Sequence, residues 1–137
     1  RYITIKLMDD VPRMFGYNKV NLDDMIYVVE GPIDSMFLKN AIAVASSSLE
    51  SAADHIDKSK LVLIFDNEPR NKDIVKQIEK SIDKGYNVCL FPESAKGKDI
   101  NEMIQNGLTS DEIKGIIDTN TFSGLTAKLK FTHWKRC

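Results

Sequence analysis

"VVEGPIDSMFL", residues 28–38, passes from an apolar run to a helical pattern within a few positions. The run "MIYVV" that leads into it shows no polar alternation, as expected for a strand buried on both faces in a parallel sheet. Pro32 suits the first turn of a following helix, with Ile33, Phe37 and Leu38 at helical spacing. Between strand and helix stand Glu30 and Asp34, at a lip where desolvation penalises charge.

The same unit recurs downstream. "AIAVAS" reads as a second short strand ending in Ser46, Ser47 and Ser48, "LESAADHIDK" as a modest helix, and "KLVLIFD" as a third, fully buried strand. Asn71 is placed to cap an amphipathic helix with Ile74, Val75, Ile78 and Ile82 inward and Gly85 closing it, and "YNVCLF" is the fourth strand. Strands alternating with helices predict an α/β fold with right-handed crossovers, a mostly parallel four-stranded sheet and helices on both faces. Upstream, "RYITIKL" alternates, with Ile3, Ile5 and Leu7 on one face of a half-buried strand. Residues 8–24 read as a connector with one helical turn around Arg13–Phe15. Beyond the fourth strand, "INEMIQNG" and "TSDEIKGIID" read as short helices, the second with Thr/Ser–Asp/Glu start signals. "FSGLTAKLKFTHWKR" reads as a helix with a basic end.

A chain of 137 residues holds one domain with a single core. The formal net charge of −1 neither favours nor excludes nucleic acid, because a local basic face can sit within a neutral total. No apolar run approaches the ~20 residues of a membrane span. No signal peptide is evident, and a start at Arg1 rather than Met suggests part of a longer protein. Cys89 lies in a strand and Cys137 is the last residue, so no Cys/His cluster offers a zinc site. Two isolated thiols suit a reducing, intracellular compartment.

The acids gather where such a fold binds ligands. In an open parallel sheet the site lies beyond the carboxyl ends of the strands. Glu30 ends the first strand and Asp66 the third, and Glu68, two residues on, faces the same way in extended chain. Asp34 follows Glu30 by one helical turn, and a loop after the fourth strand leads to Asp99, Asn101 and Glu102. Oxygen-rich clusters of this kind suit Mg²⁺, and two such ions can clamp the attacking and leaving oxygens of a phosphoryl transfer. Taken singly, each acid is better explained as a helix cap than as a metal ligand. Three acidic strand exits in one small domain exceed what capping requires.

"VVEGPIDSMFL", "LIFDNE" and "GKDINEMI" resemble, in order and spacing, the three signature segments of the Toprim domain of DnaG-type primases, and in particular its phage-encoded members. The resemblance implies a Toprim-like domain over 25–107, preceded at 1–24 by the end of another subdomain and followed at 108–137 by a basic helical extension. It implies metal-dependent nucleotidyl transfer that makes RNA primers, with Mg²⁺ or Mn²⁺ as cofactor and Glu30, Asp66 and Glu68 as catalytic metal-holding residues supported by Asp34 and Asp99. The partners it implies are a single-stranded DNA template, ribonucleoside triphosphates and a replicative helicase, in the host cytoplasm and away from any membrane. This chain departs from the family pattern in three places: Glu68 replaces the second Asp of D-x-D, "PRNK" replaces the glycine that follows it, and Ile100 stands where proline is common.

Arg70, Lys72, Lys96 and Lys98, with Asn101, are placed to contact nucleotide phosphates or template backbone if the acids hold metal. Their alternative is solvated loop charge. Lys128, Lys130, Lys135 and Arg136 surround Phe131, His133 and Trp134, which suits a nucleic-acid patch with a stacking aromatic, a helicase-docking surface, or a packed helix with a frayed basic end. His55 and His133 read as ordinary histidines. Two other functions stay open: a nuclease or topoisomerase fragment of the Toprim kind, and a non-catalytic α/β binding module. The "GKDINEMI" segment favours primase over the first. Against a receiver-like module, no acidic pair follows the first strand and no lysine ends the last.

Overall fold

The computed structural model describes residues 14–44 and 48–137. The expected strand at residues 1–7, the first part of the 8–24 connector up to Arg13, and Ser46–Ser47 lie outside the described residues.

Four apolar runs form the parallel centre: β2 (Ile26–Val29), β3 (Ala41–Val44), β4 (Leu61–Ile64) and β5 (Asn87–Cys89). They are ordered β3-β2-β4-β5, and an antiparallel strand is added at each edge to give six. β1 (Met14–Phe15) pairs with β3 and β6 (Thr121–Phe122) with β5. Neither edge strand follows from the sequence reading, which put Met14–Phe15 in a helical turn and Phe122 in a helix. The physical reason is the open ladder on β3 and β5, whose unpaired N–H and C=O groups these dipeptides satisfy.

Successive residues on each strand face opposite layers. On one side Val28, Ile42, Leu63 and Val88 pack with Ile74, Ile78 and Ile82 of α2 (Lys72–Asp83) and with Ala127 and Phe131 of α5 (Gly124–Trp134). On the other, Val29, Ala43, Ile64 and Cys89 pack with Ile100 and Met103 of α3 (Ile100–Gln105) and Ile113 and Ile117 of α4 (Ser110–Thr119). Burying each of these Ile or Leu side chains contributes about 1.5–3 kcal/mol, so helices on both faces are what the unalternated strands require. Residues 108–137 thus supply an edge strand and two core-forming helices to this one sheet.

Helix ends follow their signals. The Asn71 side chain accepts from the N–H groups of Asp73 and Ile74, and Gly85 and Tyr86 return N–H groups to the carbonyls of Ile82 and Ser81. Thr109 and Glu112 form a reciprocal capping box on α4. The helix after β2 is shorter than its spacing suggested. α1 (Pro32–Ser35) is one turn, Leu38 is buried beyond it, and Ile33 is exposed. Only four residues separate Ser35 from Asn40, whose left-handed backbone turns the chain into β3. "LESAADHIDK" forms a 3₁₀ segment, Leu49–Asp54, rather than an α-helix.

Candidate metal centre

The connection from β2 runs to β3 on one side of the sheet, and that from β4 runs to β5 on the other. Between the carboxyl ends of β2 and β4 the connections therefore diverge and leave a crevice. Glu30 follows β2 directly and Asp66 lies two residues past β4. Asp34 returns over the same point from α1, and Asp99 arrives as the N-cap of α3.

Asp34, Asp66 and Asp99 converge, each offering a carboxylate oxygen within 4.8 Å of the others. Two of the three carboxylates are held by backbone donors. Asp34 accepts from the N–H of Asn101 at 2.8 Å, and Asp99 accepts from the N–H of Glu102 at 2.8 Å. Each bond occupies one oxygen and leaves the other free for a cation. Gly31 makes the approach of Asp34 possible, because a Cβ there would stand 3.1 Å from the second Asp34 oxygen. The donor set contains only oxygen, which fits Mg²⁺ or Mn²⁺ and not a thiolate-seeking metal. Cys89 sits in the core below, where burial pushes its thiol well above the usual range.

Burial and neighbouring charge push the Asp66 carboxyl up to about 7, burial first and then the charges of Glu30, Asp99, Glu68 and Asp34. Burial also raises Asp34, opposed by its hydrogen bond from Asn101 and assisted by the charges of Asp99 and Glu30. Desolvation rather than mutual repulsion therefore leads, and a bound cation would offset both.

Glu30 and Glu68 stand around the triad rather than within it. Glu30 is exposed and shares with Asp66 a cavity of about 10 Å³, while Asp34 and Asp99 share a second cavity of about 10 Å³ with Asp66. Asp66 and Phe65 form the common wall of the two. Asn101 acts through its backbone, as the donor to Asp34. Lys72 and Lys98 are exposed, and Arg70 and Lys96 line a separate cleft beside the centre. The basic cluster of α5 divides: Lys130, His133 and Arg136 face that cleft with Trp134, while Lys128 and Lys135 face the opposite side, where Lys128 lies 3.8 Å from Asp83.

Asn67 was not singled out in the sequence, yet it joins the second segment to the third. Its backbone N–H donates to the Lys98 carbonyl, and its side-chain amide donates to the carbonyls of Ala95 and Gly97 at 3.2 and 3.1 Å. The middle letter of "DNE" thus brings the Asp99 loop against Asp66. An amide between two acids was the available signal, since it can donate where a carboxylate cannot. The loop also needs Gly97, whose φ is +140° and whose added Cβ would lie 2.9 Å from the Met103 nitrogen. Gly97→Ala is expected to cost about 2 kcal/mol or more through this strain and clash. A thermal melt that matches wild type would contradict the placement of the loop.

No protein-family model matches the chain. The chain is similar to the DNA primase of Enterobacteria phage T4, with 35% identity over 99% of its own length. It spans 40% of the length of that relative. The likeness falls on the kind of protein, a primase from a T4-like phage, that the three acidic segments resemble. Among the described residues, no helix is long and apolar enough to cross a membrane.

Proposed function

We infer that this chain is the metal-binding catalytic part of a primase, which joins ribonucleotides into short RNA primers on a single-stranded DNA template. The observation that carries the reading is the convergence of Asp34, Asp66 and Asp99 at the divergence of β2 and β4. The name of the phage relative supports it from an independent direction. The reading brings with it ribonucleoside triphosphates and a replicative helicase as partners and the host cytoplasm as the compartment.

In this reading Asp34, Asp66 and Asp99 hold Mg²⁺ or Mn²⁺, and Glu30 and Glu68 set the charge around them. The cation, when bound, neutralises phosphate oxygens and favours ionisation of the attacking 3′-hydroxyl. Near neutral pH burial and the surrounding acids keep Asp66 about half protonated, and a bound cation would favour its ionised form. Asn101 and the α3 N-terminus keep the free oxygens of Asp34 and Asp99 aimed at one point. Lys72 and Lys98 supply positive charge for the incoming phosphates, and Arg70 and Lys96 carry the positive charge into the adjoining cleft.

Primer synthesis by the full-length protein that carries this chain tests the reading, with wild type compared with Glu30→Gln. Wild type is expected to make RNA from ribonucleotides on single-stranded DNA only with a divalent cation. Glu30→Gln is expected to lose roughly 10–100-fold, as a residue that tunes ligands does. No RNA from wild type on any template would end the primase reading, and undiminished synthesis by Glu30→Gln would remove Glu30 from the site.

A further inference from the structure

Beside the acidic centre lies a cleft of about 480 Å³, bounded by the loops after β4 and β5 and by the end of α5. Its volume is within the range of small-ligand sites. It adjoins the centre: Asn67, the neighbour of Asp66, lines it, and the buried Phe91 is a wall shared by this cleft and the small cavity of Asp34, Asp66 and Asp99.

Arg70, Lys96 and Lys130 present positive charge to the cleft, and among the described residues none of them lies within ion-pair distance of a carboxylate. The one acid on its wall, Glu93, is paired with Arg136 at 3.1 Å. Arg136 also fixes the shape. Its backbone N–H donates to the Pro69 carbonyl at 2.7 Å, which together with the Glu93 pair ties the end of α5 to both loops, and its guanidinium donates to the His133 carbonyl of α5 itself at 2.6 Å. Trp134 lines the same space and stacks against the buried Phe131, with ring centroids 6.4 Å apart and planes at 26°. A preformed cleft with three uncompensated cations and one held indole offers phosphate contacts and a stacking plane together.

We propose that this cleft binds a short run of single-stranded polynucleotide, phosphates toward Arg70, Lys96 and Lys130 and one base against Trp134, as the strand passes the acidic centre. The inference rests on the nucleotidyl-transfer reading for the identity of the strand, but it requires neither catalysis nor metal.

Trp134 is the only tryptophan in the chain, so its fluorescence reports the cleft directly. The chain is titrated in metal-free buffer with oligo(dT), oligo(rU), ATP and inorganic pyrophosphate. Quenching by an oligonucleotide is expected, with affinity falling as salt rises. The stronger of the two oligonucleotides identifies the strand as template-like or product-like. Lys96→Ala and Lys130→Ala, both at exposed positions, should each reduce the salt slope by about 0.7, the value for one single-strand phosphate contact. Lys128→Ala, on the opposite side of α5, should leave the titration unchanged, and because neither metal nor synthesis is read, this result is separable from failure of primer synthesis. The proposal is overturned if ATP or pyrophosphate quenches and the oligonucleotides do not, which would make the cleft a free-nucleotide site. It is equally overturned if labelled oligonucleotide binds, by anisotropy, with no change in Trp134 emission and no effect of Lys130→Ala.

Discussion

In the intact protein, Asp66→Asn is expected to lower primer synthesis by about 1,000-fold or more, which corresponds to roughly 4 kcal/mol of transition-state stabilisation. The same change should make the metal-free protein more stable near pH 8. Asp66 sits at the meeting point of both small cavities, and burial with four surrounding acids pushes its carboxyl up to about 7. At pH 8 the wild-type side chain is ionised in a place that disfavours ionisation, whereas asparagine fills the same volume without charge. A gain of about 2 kcal/mol is expected, read as a higher thermal midpoint with unchanged far-UV circular dichroism. Loss of function with gain of stability identifies a residue kept for its chemistry. Normal primer yield from the variant would remove Asp66 from the metal site, and a lower midpoint would show that its carboxylate is a structural bond.

Stability of the metal-free protein is expected to fall as pH rises from about 4 to about 7, and divalent cations should reverse the fall. Below pH 4 the Asp66 carboxyl is protonated in both folded and unfolded chains and contributes no difference. Between its ordinary value of 3.8 and its folded value of about 7, the folded state retains a proton that the unfolded state has lost. The unfolded state then binds fewer protons, so stability declines with pH until both forms are ionised. Because Asp66 is only half buried and partly screened by solvent, the decline from this group is about 2 kcal/mol. Mg²⁺ or Mn²⁺ at ~100 times its dissociation constant should restore roughly 2.7 kcal/mol by binding only the folded form. For a chain of this size that is about 8–12 °C in thermal midpoint. NaCl at matched ionic strength should do little. Asp66→Asn combined with Asp99→Asn should abolish the metal response, and asparagine at 99 preserves the cap on α3. If wild type and double variant melt alike at every metal concentration, the three acids are caps and surface charge and the centre holds no metal.

The elements that carry their own local signal were legible before any tertiary information. β2 through β5 are short apolar runs whose lack of alternation requires cover on both faces, and the helices found on each side are that cover. α2 and α4 are marked by Asn71 and by Thr109 with Glu112, because a cap acts within four residues and its chemistry is visible in a short window. The acids at the strand exits were legible for the same reason: strand order aside, a parallel sheet sends its carboxyl ends to one edge. Tertiary structure alone decided what depends on distant partners. β1 and β6 are two residues each and have no propensity to announce them. They exist because β3 and β5 leave unpaired backbone groups at the edges. The grouping of Asp34 with Asp66 and Asp99 rather than with Glu30 and Glu68 is set by the N–H of Asn101, which lies 67 residues from Asp34, and by the clasp of Asn67 on the Asp99 loop. The split of the basic C-terminal cluster follows from Ala127 and Phe131 entering the core, which turns Lys130 and Trp134 to one side of α5 and Lys128 to the other. Periodicity and capping report which face of a segment is buried and where it ends. Which side chains meet across the fold is set by backbone hydrogen bonds and packing between residues far apart in the chain, and these have no local sequence signature.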